Sequence, residues 1–206
     1  MYVPTHFAPD DEAVHELLSH HGAADLVTAG PDGLEATMLP FIYDRERGTL
    51  AGHFARNNDH WRRVDGQEAL VIVRGSDAYV TPEWYASKAE HGRVVPTWNY
   101  VVAHVHGTVT IHDDPVWVGD LVRRLTDHHE AGRPTPWSVD DAPEPFVEGQ
   151  LRAIVGLEVA IRRIDAKFKL SQNRPEADID GVVAGLRSVG DERAAAAVQA
   201  HRPAPR

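Results

Sequence analysis

The chain has 206 residues, no cysteine, and 31 acidic against 21 basic side chains, for a formal net charge of −10 with histidine neutral. The missing cysteines exclude disulfides, thiolate metal sites and a cysteine nucleophile, and they fit a reducing, cytoplasmic setting. The acidic balance argues against a basic nucleic-acid-binding stripe, and no apolar run approaches the roughly 20 residues that span a bilayer.

An apolar content of 42% with 25% charged residues is that of a globular chain. The length suits one large domain or a domain with a helical appendage. The opening MYVPTHFAPDDEAV lacks a basic segment followed by an apolar core, which predicts no secretory signal. Asp10 and Asp11 then precede Ala13, Val14, Leu17 and Leu18, a spacing that predicts an amphipathic helix stopped by Gly22. Ala24 to Ala29 and Leu34 to Tyr43 read as two strands joined by a Pro31-Asp32-Gly33 turn. Pro40 interrupts the second strand; having no N–H to donate, it implies an edge, a bulge or a turning backbone. Thr49 to Ala55 is a third strand, followed by a short helix capped by Asn57 or Asn58 and ended by Gly66.

Glu68 to Arg74 is nearly all apolar, as a strand buried on both faces would be, and Tyr79-Val80 resumes after Gly75 to Asp77. Thr81 to Tyr85 reads as a capped single turn, and Ala86 to Arg93 as a mobile polar loop. Val95 to Asp113 is the longest strand signal. Trp98, Tyr100, Val102, His104, His106 and Thr108 share one face, and Asn99, Val101, Ala103, Val105, Gly107, Val109 and Ile111 share the other. The second face is small and apolar and should line a core. Pro115, behind Asp113 and Asp114, starts a helix to about Glu130. A Pro-rich connection, a short helix at Pro145 to Leu151 and a strand from Ile154 to Ile164 follow, with Asp165 to Arg174 straight after it. Two terminal helices, Ile179 to Val189 and Asp191 to Ala200, precede a frayed tail. Clustered strands with short turns predict a small antiparallel barrel with helices around it.

Four groups of residues can carry chemistry. Lys167, Lys169, Ser171, Gln172, Asn173 and Arg174 set three cations among neutral hydrogen-bonding side chains in an acidic chain, a set able to grip a phosphate. Equally, it is a solvated strand end. His53, Arg56, Asn57, Asn58, His60 and Trp61 lie where a strand runs into a helix N-terminus, so free N–H groups and Arg56 form a second candidate anion site. His104 and His106 share a face without a carboxylate at matching spacing, which disfavours a metal. Trp84, Tyr85, Trp98 and Tyr100 can border a flat ring or pack an interface. There is no P-loop, GxGxxG or G-x-S-x-G, and no convincing nucleophile–base pair, so catalytic residues are unassigned.

MYVPTHF, EATMLPF at 35–41, GHFARNNDHW at 52–61, VPTWNYVVAHVHG at 95–107, IVGLEV at 154–159 and KLSQNR at 169–174 run in order through nearly the whole chain. With them the sequence resembles the PaiB-like family of FMN-binding negative transcriptional regulators; VPTWNY and KLSQNR are the specific pieces. The resemblance implies an α+β, mainly antiparallel β fold: a split β-barrel of the flavin-reductase and pyridoxamine-oxidase type with peripheral and C-terminal helices. It also implies a homodimer with FMN near the dimer interface. The barrel is expected over 1–175 and a helical extension over 176–206.

The family pattern A-T-H-L-P has histidine where this chain has Met38, so the backbone of Thr37 and Leu39 is left to serve the ligand there. Arg56 with Asn57 and Asn58 is expected at the phosphate, Lys169, Gln172 and Asn173 at phosphate or ring edge, and Trp98 and Asn99 at the slot from a partner subunit. The flavin would carry the chemistry, so an FMN-dependent oxidoreductase activity stays open. Two alternatives differ in class. One is a haem-binding or haem-degrading split barrel ligated by His53, His104 or His106; the other is a direct DNA-binding repressor. Direct DNA reading is disfavoured by the scattered cations, which leaves a small molecule or a protein as regulatory partner.

Overall fold

The structure, a computed structural model, describes residues 1–31 and 33–203. Asp32 of the expected Pro31-Asp32-Gly33 turn and 204–206 of the tail lie outside the described residues. Six strands, β1 (Ala23–Gly30), β2 (Gly33–Asp44), β3 (Thr49–Ala55), β4 (Glu68–Val80), β5 (Thr97–His112) and β6 (Ile154–Lys169), form a closed antiparallel barrel in the order β1-β2-β3-β6-β5-β4. The helices are α1 (Asp11–His20), α2 (Trp61–Val64), α3 (Ala86–His91), α4 (Pro115–Glu130), α5 (Glu144–Arg152), α6 (Glu176–Ser188) and α7 (Glu192–Ala200).

Pro40 marks a change of neighbour. The β1–β2 ladder runs from Gly30↔Gly33 to Ala23↔Pro40, and the β2–β3 ladder begins one residue later at Phe41↔Gly52. A Cβ on Gly52 would meet the Pro40 carbonyl oxygen at 2.7 Å, so only glycine allows this approach. β3 is covered on both faces. Leu50 and Phe54 face the barrel core, while Ala51 packs with Leu121, Leu125 and Trp117 of α4. α4 starts where the sequence predicts: Asp114 caps it by accepting from Val116 N and Trp117 N, with Pro115 in the first turn. Along β5, Asn99, Val101, Ala103, Val105, Gly107 and Val109 are all buried and their alternates are not, as the two-faced pattern predicts, while Ile111, expected on the same face, is only half-buried near the strand end.

Four local expectations change. β4 is continuous through Gly75 to Asp77, and its burial alternates instead of being complete on both faces. α2 begins at Trp61 without a side-chain cap; Asn58 Oδ1 instead accepts from His60 N at 3.1 Å. β6 runs on to Lys169, absorbing residues 165–169. Ala86 to Arg93 is not a loop, because residues 86–91 form α3. The buried carboxylate of Asp178 accepts from Ser87 N at 2.9 Å and Ser87 Oγ at 3.0 Å, and a Gly92 in the left-handed region closes the helix.

Two compact units divide the chain. One comprises Met1–Val14, Arg74–Ala103 and Asp165–Arg206, so the C-terminal helices share a unit with 74–103. In it, α6 carries Gly181 and Gly185 against Trp84, whose carbonyl and indole fill the space where each Cβ would stand. The other comprises His15–Val73 and His104–Ile164.

Candidate cofactor site

In the unit that holds β1, β2 and β3, the ladder sets the faces. Asp25, Val27 and Ala29 stand opposite Met38, Ala36 and Leu34, and Ile72 and Leu70 of β4 continue the first two rows. Met38 and Leu34 are 68% and 80% exposed on this outer face. Thr37 and Leu39 point the other way, so Met38 and its neighbours offer side chains to opposite sides of the sheet.

Thr37 belongs to a buried network. His60 is fully buried, its Nε2 2.8 Å from Thr28 Oγ1 and its Nδ1 2.8 Å from Thr37 Oγ1; Asn58 Nδ2 donates to the same Thr37 oxygen at 3.3 Å. Burial holds the His60 imidazole below its ordinary pKa, although the Glu35 carboxylate works against this. Thr28 was not among the expected site residues. The signal for it is the alternation Ala24, Leu26, Thr28, which puts a hydroxyl on a core face where it requires a partner.

Arg56 is engaged by its own fold. Its guanidinium donates to both Asp113 oxygens at 2.5 and 3.1 Å, to Arg152 O at 2.7 Å and to Ile154 O at 3.0 Å. The bond to Asp113 raises the Arg56 pKa and lowers that of Asp113. Arg56 N bonds Ala153 O and Asn58 N bonds Ala55 O, so this stretch presents no run of free N–H groups; Asn57 is exposed. His53 stands opposite Gly156 on β6; its Nδ1 is buried without a partner, and burial lowers its pKa.

The second set lies in the other unit. Lys169 Nζ donates to Thr97 Oγ1 and Trp98 O, leaving one of its three donors. Lys167 and Lys169 flank the Tyr100 ring at 5.6 and 6.0 Å, and Arg174 lies 4.5 Å over the Tyr85 ring. Burial, then Lys167 and Arg174, lower the Lys169 pKa. Among the described residues no carboxylate pairs with any of these three cations. Gln172 closes its own turn, accepting from Leu170 N at 2.7 Å and donating to Phe168 O at 2.6 Å; Asn173 is exposed. Trp98 is 54% exposed beside Tyr79, but Asn99 is 1% exposed and bonds Ser171 Oγ through both amide atoms at 3.1 and 3.2 Å. Alternation forbids Trp98 and Asn99 from facing one slot together. The structure thus collects Thr37, Asn58 and His60 in one network, joins Lys169 to the Trp98 carbonyl and Asn99 to Ser171 in the other unit, and leaves Gln172 bonded within its own turn.

The donor set suits a phosphorylated ring compound. Among the described residues its three cations have no paired carboxylate, and the exposed Trp98 and Asn173 side chains lie in the same two stretches.

Residues 1–163 match the family described as "Putative FMN-binding domain". The Bacillus subtilis protease synthase and sporulation protein PAI 2 is 29% identical over 192 residues, covering 91% of this chain and 90% of that protein. An uncharacterized Aspergillus fumigatus protein is 30% identical over 204 residues, covering 77% and 78%. Among solved structures, a conserved hypothetical protein of Mycobacterium tuberculosis superposes with a TM-score of 0.60 at 13% identity, over 85% of this chain and 95% of that one. The FAD and heme binding protein of Mycobacterium smegmatis superposes with a TM-score of 0.59 at 20% identity, over 85% and 78%.

Proposed function

The chain belongs to the PaiB-like family of FMN-binding split-barrel proteins, and on that premise we propose that it works as a cytoplasmic homodimer that affects gene expression indirectly. Its action runs through bound FMN and a small-molecule or protein partner, not through reading DNA. The observation that carries the flavin part is the cationic set. Among the described residues no carboxylate pairs with Lys167, Lys169 or Arg174, in a chain of net charge −10, and a phosphate dianion offsets that local excess. Arg56, with four donor contacts engaged, serves mainly to hold β3 against the α4 start.

The homodimer reading draws on the outer face of β1, β2 and β4. Leu34, Ala36, Met38 and Ala29 are exposed there, with Asp25 beside Met38, and a symmetric copy is the commonest cover for such a largely apolar face. The test is the absorption spectrum of the purified chain after FMN addition, with light scattering at tens of micromolar (roughly where a standard interface is saturated). A bound-flavin spectrum on a dimer is expected. A Soret band would favour the haem reading, for which His53 Nδ1, buried without a partner, is the available ligand. A monomer would refute the homodimer. Sub-micromolar, sequence-selective binding to DNA at about 150 mM salt, where surface charges are well screened, would promote the repressor reading.

A further inference from the structure

Hydrogen-bond accounting in the Thr28–His60–Thr37 network leaves one hydrogen over. Thr28 is buried, and its hydroxyl has a single partner, His60 Nε2. Thr37 Oγ1 faces both His60 Nδ1 and Asn58 Nδ2. A hydroxyl has one donor and two acceptor sites, and a neutral imidazole has one of each. Burial lowers the pKa of this imidazole and favours its neutral form, for which two assignments are open. In the first, Nε2–H donates to Thr28 and Thr37 donates to Nδ1. The Thr28 hydrogen is then stranded where water does not reach. In the second, Thr28 donates to Nε2, Nδ1–H donates to Thr37, and His60 with Asn58 fills both acceptor sites of Thr37. The spare hydrogen now sits on Thr37, which is only half-buried. A buried donor without an acceptor is the costlier arrangement, which selects the second assignment.

We propose that Thr37 presents its O–H as a pre-set donor to an acceptor atom of the flavin ring, and that His60 is the positioning residue that fixes this sense. The proposal rests on the flavin reading above and names a side-chain contact within it. The acceptor is a ring carbonyl oxygen or an unprotonated ring nitrogen, not the phosphate. The charges nearest the network, Glu35 and Arg63, pair with each other through two-pronged contacts of 2.7 and 2.8 Å, so no free cation draws a phosphate there. The Met38 side chain, on the opposite face of the strand, cannot substitute for this donor.

The test uses the full chain. Nitrogen NMR of His60 is expected to show a neutral ring protonated at Nδ1; protonation at Nε2 overturns the proposal. In titrations, Thr37→Val is expected to weaken FMN and riboflavin alike by about fivefold, the loss of one ordinary hydrogen bond, and to shift the flavin visible bands. Thr37→Ser, which keeps the hydroxyl, is expected to restore both. His60→Asn, whose amide still offers Thr37 a donor, is expected to retain most of the affinity. A Thr37→Val loss confined to FMN, or no loss and no spectral shift, overturns the ring contact while leaving flavin binding intact. If the wild-type chain binds neither flavin, the flavin reading itself fails and takes this inference with it.

Discussion

Replacing Lys169 by methionine isolates the phosphate contact. The ammonium is half-buried, held by Thr97 Oγ1 and Trp98 O, with one donor left and two cations nearby. A fully exposed ion pair contributes about 0.2–1 kcal/mol, which would change FMN affinity by fivefold at most. A charge-assisted hydrogen bond from a partly desolvated group contributes about 1.5–3 kcal/mol, equivalent to roughly 10- to 100-fold in Kd. Half-burial and the missing carboxylate place Lys169 nearer the second case. Lys167 and Arg174 remain in the variant, so binding should weaken and not vanish. The assay is flavin fluorescence titrated at two salt concentrations with FMN and riboflavin. Lys169→Met should lower FMN affinity tenfold or more (the lower end of that range), reduce its salt dependence, and leave riboflavin unchanged. Equal losses for FMN and riboflavin, or no loss for FMN, would refute the reasoning. A thermal melt guards against a trivial cause, because the same ammonium joins the start of β5 to the end of β6.

Three further outcomes are expected. Arg56→Met should act on stability more than on flavin, lowering it by about 1 kcal/mol after allowance for solvent screening of its partly exposed pair; a selective loss of FMN over riboflavin in this variant would return Arg56 to the phosphate. Burial depresses the folded-state pKa of His21, His53, His60 and His112 below the ordinary value of about 6.5. The unfolded chain then binds more protons below that value, so stability is complete above about pH 7 and falls as pH drops through 6.5; urea melts that do not change between pH 8 and 5 would contradict this. Gly181→Ala puts a methyl 1.8 Å from the Trp84 carbonyl oxygen, so it should cost about 1–3 kcal/mol through overpacking and alter tryptophan emission; a neutral melt would show that the 82–84 turn yields freely.

What the sequence makes legible is what short spacing controls. The two faces of β5 follow from alternation alone, and the α4 start follows from Asp114 and Pro115. Pro40 signals an irregularity, but not that β2 exchanges β1 for β3 there, because that depends on which strands lie alongside. α3 was unreadable for a similar reason: its first turn is held by Asp178, 91 residues beyond Ser87. The cation at Arg56 was visible, yet its partner Asp113 lies 57 residues away. A residue type announces a charge, but the fold decides whether that charge is still available to a ligand.

The same distinction explains why VPTWNY and KLSQNR are the specific stretches of this chain. They meet in the fold. Among the described residues Ser171 is the non-glycine residue held at positive φ, 68°, a conformation costing about 1–2 kcal/mol for a residue with a Cβ. The buried amide of Asn99 secures it by bonding Ser171 Oγ through both its oxygen and its nitrogen. Lys169, two residues before the strained position, reaches Thr97 and the Trp98 carbonyl, two residues and one residue before Asn99. The tight turn and the paired strand ends therefore fix where Lys169 points, while alternation drives Trp98 outward beside it. A shift of one residue in either stretch would break both the amide bond and the ammonium contacts. Conformational strain at Ser171 and the placement of the Lys169 ammonium are two consequences of one junction.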